Sequence, residues 1–149
     1  MDMKREQLTQ NFIDEIEPLL CAYGDEMHLF GLSHTDPDWS MYHKLNVAGC
    51  LWIFSVRVDG KLIGFNSYIV TPSPHYEDAI YATSDTLYIS PEYRGKFAGP
   101  RILQYAESQL KKLNICAIQQ GVQATNDFSP MLERKGYKLD SYLYVKRIH

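Results

Sequence analysis

Cysteine is scarce in this chain. Cys21, Cys50 and Cys116 are far apart and odd in number, and no C-x-x-C pair occurs. That argues against a zinc knuckle or a redox dithiol. Their neighbours are mostly apolar, so buried thiols in a reducing compartment are expected. Neither Cys50 nor Cys116 has an evident base partner, which speaks against a cysteine nucleophile. Long apolar runs are missing as well. Nothing approaches the ~18 residues of a membrane span, and Met1-Asp2-Met3-Lys4-Arg5-Glu6 is followed by no signal-peptide apolar region. The expectation is a cytoplasmic protein with no membrane partner. A strong charge of one sign is also lacking. The formal net charge is −3, which disfavours nucleic acid as a partner. His28, His34 and His43 match no metal-ligand spacing, so no metal is expected. Repeats, linkers and low-complexity segments are absent. At 149 residues, one domain spanning 1–149 is expected.

Periodicity organises what is present. Leu8, Phe12, Ile16, Leu19 and Leu20 recur at helical spacing from Gln7 to about Tyr23, with Pro18 as a kink or split and Gly24 as a stop. Residues 24–37 show no clean period and read as a loop. Asp36-Pro37-Asp38 fits a second helix start, with Trp39, Tyr42 and Leu45 on one face. Leu51–Val58 alternates as a strand, Asp59-Gly60 is a tight-turn signal, and Lys61–Thr71 returns. Ile80–Ile89 is a third strand and Gly99–Leu113 an amphipathic helix. Ile115–Val122 is a fourth strand. A helix capped by Asp127 or Ser129 runs to Lys135, and Gly136 ends it. Tyr137–Ile148 is strand-like, rich in tyrosine and β-branched residues. The layout is α/β on a mixed sheet, with a parallel crossover over residues 80–122.

One stretch carries chemistry. Leu87-Tyr88-Ile89 leads through Pro91 into Arg94-Gly95-Lys96-Phe97-Ala98-Gly99-Pro100. A strand that enters a loop opening a helix offers backbone N–H groups to an anion such as a pyrophosphate, with Arg94 and Lys96 beside it. Ligands in such sheets favour the carboxyl ends of strands, where this stretch lies.

Here the chain resembles the GNAT superfamily of acyl-CoA N-acyltransferases. The hallmark, roughly L-x-V-x-P followed by Q/R-x-x-G-x-G/A, stands as Leu87-x-Ile89-x-Pro91 and Arg94-Gly95-Lys96-Phe97-Ala98-Gly99. Leu132-Glu133-Arg134-Lys135-Gly136-Tyr137 is similar to the family's Y-E-K-x-G-F segment. More narrowly, Pro74-His75-Tyr76, Ser129–Glu133 and Tyr144–Ile148 resemble small phage-encoded members, which would place the protein in a host cytoplasm. The resemblance implies a GNAT-like, mostly antiparallel mixed sheet with helices on both faces. It implies acetyl-CoA as co-substrate and acetyl transfer to a primary amine, on a small molecule or a protein. It assigns the strand from Leu87 through Tyr88 to Ile89 to the pantetheine arm, the Arg94–Gly99 loop (Lys96, Phe97 and Ala98 included) to the pyrophosphate, and Asn126 to the cofactor.

Two departures stand out. Phe97 occupies a position where the family has glycine, and Pro100 removes an N–H donor. Leu132 stands in place of the family's tyrosine acid. They motivate an alternative: a catalytically weak or silent binding protein on the same fold. For the base, the nearest carboxylate on the motif strand is Asp85, two residues before Leu87 on the same face. A strand-end carboxylate held by hydrogen bonds is its bland reading. His75 and Tyr76 are further catalytic or substrate candidates, with loop packing as the alternative. Glu26 and His28 fall where the superfamily lines its acceptor pocket, with a solvated loop as the alternative. The tyrosine-rich C-terminal strands could pair across a homodimer.

Overall fold

The computed structural model describes residues 1–27 and 35–149, and its chain order is β1 (Asp2–Glu6), α1 (Gln10–Met27), α2 (Trp39–Val47), β2 (Leu51–Val58), β3 (Lys61–Pro72), β4 (Ile80–Ile89), α3 (Ala98–Leu110), β5 (Ala117–Gln119) and α4 (Ser129–Arg134). Short 3-10 turns cover Pro91–Tyr93 and Lys111–Leu113. The strands lie in the order β1-β2-β3-β4-β5. Each neighbour pair is antiparallel except β4 with β5, which is parallel. This is the mixed, mostly antiparallel sheet that the sequence implied.

Alternation along the strands sorts side chains into two cores, because successive side chains in a strand point to opposite faces. Phe12, Ile13, Ile16 and Leu20 of α1 pack on Leu51, Ile53, Phe65 and Tyr88, with α2 leaning on the same side through Trp39 and Tyr42. On the other face Ile102, Ala106 and Leu110 of α3 pack on Phe54, Val56, Ile63, Tyr68 and Ile89. The β2–β3 turn is tight because Asp59 and Gly60 both adopt positive φ, 50° and 79°, as an Asp-Gly hairpin turn requires. Asp38 caps α2 by accepting the Met41 N–H at 3.0 Å.

Five points of the structure differ from the sequence reading. The N-terminal Asp2–Glu6, to which that reading gives no element, is strand β1, paired with β2. Its side chains explain the fit. The Arg5 guanidinium stacks 3.3 Å over the Trp52 ring, and Glu6 accepts from Ser55 and from Arg57, which also pairs with Glu15. Secondly, α1 is neither split at Pro18 nor stopped at Gly24; it runs to Met27. At Gly24 a Cβ would collide with the Thr35 side chain, so this glycine lets another segment approach the helix rather than end it. Thirdly, β5 is three residues, not eight. Fourthly, residues 137–149 form no strand. Lastly, the thiols are not buried: Cys21 and Cys116 are exposed and Cys50 is intermediate.

Candidate active site

The site begins where two strands part. The parallel β4–β5 ladder pairs Tyr81 with Ala117, Ala82 with Ile118 and Thr83 with Gln119, and then ends. β4 continues for six more residues against β3 alone. Its Ser84–Ile89 edge therefore has no strand partner on the β5 side among the described residues, and apart from Ile89 C=O, which Arg94 Nε occupies, it offers backbone groups to an extended, amide-bearing ligand. Side chains bridge the first step of this fork. Gln120 donates through Nε2 to Ser84 Oγ at 2.9 Å and accepts from Tyr68 Oη at 3.0 Å. The Asn66 amide donates to the same Tyr68 oxygen at 2.8 Å, while its buried Oδ1 has no partner among the described residues.

Below the fork lies a cleft of about 350 Å³ lined by Leu87, Tyr88, Ile89, Arg94, Gly95, Phe97, Gly99, Asn126 and Arg134, among others. Eight of the ten residues the sequence assigned to a cofactor thus share one cavity. The other two do not line it. Lys96 is exposed, its Nζ 5.7 Å from the Tyr93 ring, and the Ala98 side chain is buried in the α3 core. Phe97 caps α3 with φ 63° and ψ 4°, the left-handed conformation of the glycine it stands in for, and its ring is 74% exposed. The helix start keeps the Ala98 and Gly99 N–H groups; Pro100 has none, and Arg101 N–H is used on Phe97 C=O.

Arg94 is already engaged. Its Nε donates to Ile89 C=O at 2.8 Å, and its Nη2 contacts both Glu26 oxygens at 2.7 and 2.8 Å. Glu26, expected among acceptor-pocket residues, reaches the Arg94 loop from the end of α1 and lines the same cleft. His28 lies outside the described residues. Arg134 is a second cation on the cleft, missed in the sequence because only the helical phase of a one-and-a-half-turn helix aims it there.

Asp85 lies on the other side of the sheet. Opposite it the register shifts: Ser67 pairs with Thr86 and Tyr68 with Ser84, so Asp85 is the extra residue of a β-bulge. The bulge overturns the same-face expectation. Leu87 packs toward α3, whereas Asp85 Oδ2 accepts from Tyr42 Oη on the α1–α2 side at 2.9 Å and from Ser67 Oγ at 3.0 Å. Thr86 Oγ1 adds a longer 3.4 Å contact. Burial, then the Asp85 charge and the hydrogen bond to it, hold the Tyr42 phenol above its ordinary range. Tyr23, also raised chiefly by burial, completes the wall. Asp85 itself is exposed, so a solvent-borne amine has access to it.

His75 and Tyr76 are not brought to this place. They sit in the exposed loop before β4, where His75 N–H donates to Ser73 Oγ. That loop is at the opposite end of β4 from Leu87, about 20 Å along the strand at ~3.3 Å per residue. Among the described residues no cluster of three or more His, Cys, Asp or Glu could hold a metal ion, and no helix is long and apolar enough to cross a membrane.

Comparison with known proteins agrees with this geometry. Residues 13–137 match the model of the acetyltransferase (GNAT) family. No curated protein sequence matches the chain. Among solved structures, the fold is similar to that of a ribosomal-protein-alanine N-acetyltransferase from Brucella melitensis biovar Abortus 2308. The TM-score is 0.75 at 20% identity, covering 99% of this chain and 100% of that one. It is also similar to an aminoglycoside acetyltransferase from an uncultured soil metagenomic sample (TM-score 0.71, 13% identity, 97% of each chain). A glucosamine-6-phosphate N-acetyltransferase from Arabidopsis thaliana matches as well (TM-score 0.72, 13% identity, 100% of each chain).

Proposed function

Because the chain belongs to the GNAT acetyltransferase family, we propose that it moves an acetyl group from acetyl-CoA to a primary amine by direct attack. The observation that carries this reading is the fork between β4 and β5, opening on a cleft that ends at the α3 N-terminus. The donor set suits the ligand. The unpaired edge at Leu87–Ile89, apart from the Ile89 C=O held by Arg94, matches the amides of a pantetheine arm. Arg94, Arg134 and the Ala98 and Gly99 N–H groups suit phosphates, with Asn126 at the side.

The bound co-substrate supplies a thioester-activated acetyl group. The chain's own residues do the rest. An alkyl ammonium has a pKa of about 10, so it must lose a proton before its nitrogen can form the new C–N bond. Asp85 is the proton acceptor, directly or through one water. A β4 N–H freed by the fork stabilises the charge that develops on the carbonyl oxygen. The C–S bond then breaks, and a thiolate of pKa about 8.5 departs with little need of an acid. This accommodates Leu132, which is buried where the family's tyrosine would stand. The acceptor remains open between a small cationic molecule and a protein amine, since relatives of the same fold carry names with different acceptors.

Calorimetry should give micromolar acetyl-CoA binding, and a thiol assay should give amine-dependent CoA release. Asp85→Asn should lower kcat by about 10²–10⁴ and leave acetyl-CoA affinity unchanged. Absence of CoA binding ends the proposal. A second reading, a silent binding protein, draws on buried Leu132 and on Glu26 seated against Arg94. It requires no turnover on any amine.

A further inference from the structure

Non-glycine residues at positive φ are of two kinds here. Among the described residues, Asp59, Asp78 and Asn114 carry short polar side chains, the type that tolerates this conformation. Phe97 is the exception, a bulky aromatic at φ 63°. Two residues earlier the same loop meets its other positive φ, 72°, with Gly95. Glycine at position 97 would make the turn without strain. The turn itself gives no reason for a ring.

Packing gives none either. The ring is 74% exposed and belongs to neither core. It meets no other aromatic ring among the described residues. A strained backbone that holds an apolar side chain out in water points to a ligand contact rather than to folding.

The place of the ring selects the ligand. Phe97 lines the cleft and directly precedes the Ala98 and Gly99 N–H groups at the start of α3. Half-buried Phe128, just before α4, and Met131 on α4 line the same cleft. A Cβ on Gly99 would lie 3.8 Å from Met131 Sδ, so α4 stands close to the α3 start. Aromatic and apolar surface is thus gathered around the phosphate donors. A ligand that joins phosphate to a flat ring through one sugar is a nucleotide. With a pantetheine arm along β4, the far end of a pyrophosphate leads away from the fork and out to solvent, where the Phe97 ring stands.

We infer that Phe97 stacks on the adenine base of the co-substrate, an inference that rests on the acetyl-CoA reading above. The base offers a flat π-face to a ring that is otherwise hydrated. This chain then draws affinity from the adenosine end of its co-substrate that a glycine at the same position could not supply.

Calorimetry with CoA, dephospho-CoA and phosphopantetheine separates the base from the rest of the ligand. Phe97→Leu keeps a side chain and loses the aromatic face; Phe97→Gly relieves the backbone and keeps the fold. Both should weaken CoA and dephospho-CoA by about 5- to 30-fold. Both should bind phosphopantetheine, which has no base, as the unsubstituted chain does. Phe97→Tyr, which retains the flat face, should stay within about 2-fold for CoA. Unchanged CoA affinity in Phe97→Leu overturns the inference, and so does a Phe97→Tyr as weak as Phe97→Leu. An equal loss for all three ligands overturns it too, because that is the mark of a disturbed phosphate loop. An unsubstituted chain that binds no CoA overturns the acetyl-CoA reading along with it.

Discussion

Phe97 holds a backbone conformation that costs an L-residue about 1–2 kcal/mol. Its φ of 63° is what the loop needs to turn into α3, and its exposed ring offers little packing in return. Phe97→Gly should therefore raise stability, by about 0.5–1 kcal/mol once the extra freedom of glycine in the unfolded chain is counted against it. A shifted urea midpoint at unchanged slope would show it. At this scale the sequence was readable for identity and less so for direction. Arg94, Gly95 and Gly99, read from the motif, and Asn126, given by the family resemblance, line one cavity. Asp85 could be chosen as the motif-strand acid, but not its face, because a bulge leaves no mark in an alternating pattern. Glu26 against Arg94 joins residues 68 positions apart, a distance that local spacing cannot bridge.

Among the elements, the fork sets the cleft, and Gln120 sets the fork. In a parallel ladder the next pair after Thr83 and Gln119 would be Ser84 and Gln120, and there the side chains bond instead. Gln120→Leu leaves the Ser84 and Tyr68 hydroxyls short of a partner in a half-buried place. The expected loss is about 1–3 kcal/mol, read from chemical denaturation. The β2–β3–β4 meander was legible because each strand alternates and Asp59-Gly60 punctuates it. β1 was not, since Asp2, Lys4, Arg5 and Glu6 look like solvated charge until Trp52, Ser55 and Arg57 give them partners. The expected eight-residue β5 and the C-terminal strand share one cause. β-propensity registers how a residue would sit in a sheet, and says nothing of whether a neighbouring strand is present.

For the whole molecule, the two cores on either side of the sheet hide phenols from water. Tyr68 and Tyr137 are held above their ordinary range chiefly by burial, as Tyr42 is. The unfolded chain ionises its tyrosines near 10.0, while the folded chain keeps these protons. Above that pH the unfolded state binds fewer protons than the native one, so stability falls as pH rises; below it this contribution is complete. Thermal midpoints should drop steeply beyond pH 10, and Tyr68→Phe should flatten the slope. The Arg94–Glu26 contact ties the end of α1 to the loop before α3. In ion-exchange terms, the loop is a resin already loaded with its own counter-ion. A chloride or acetate arriving there would at best replace one carboxylate by another single charge, with no net gain. A pyrophosphate would bring more charge than it displaces, so the proposed phosphate site should discriminate by valence, with pyrophosphate and not chloride competing against acetyl-CoA in a binding titration. On the proposed reading that exchange would also release Glu26, so seating an anion on one side would set a carboxylate free for a cation on the other.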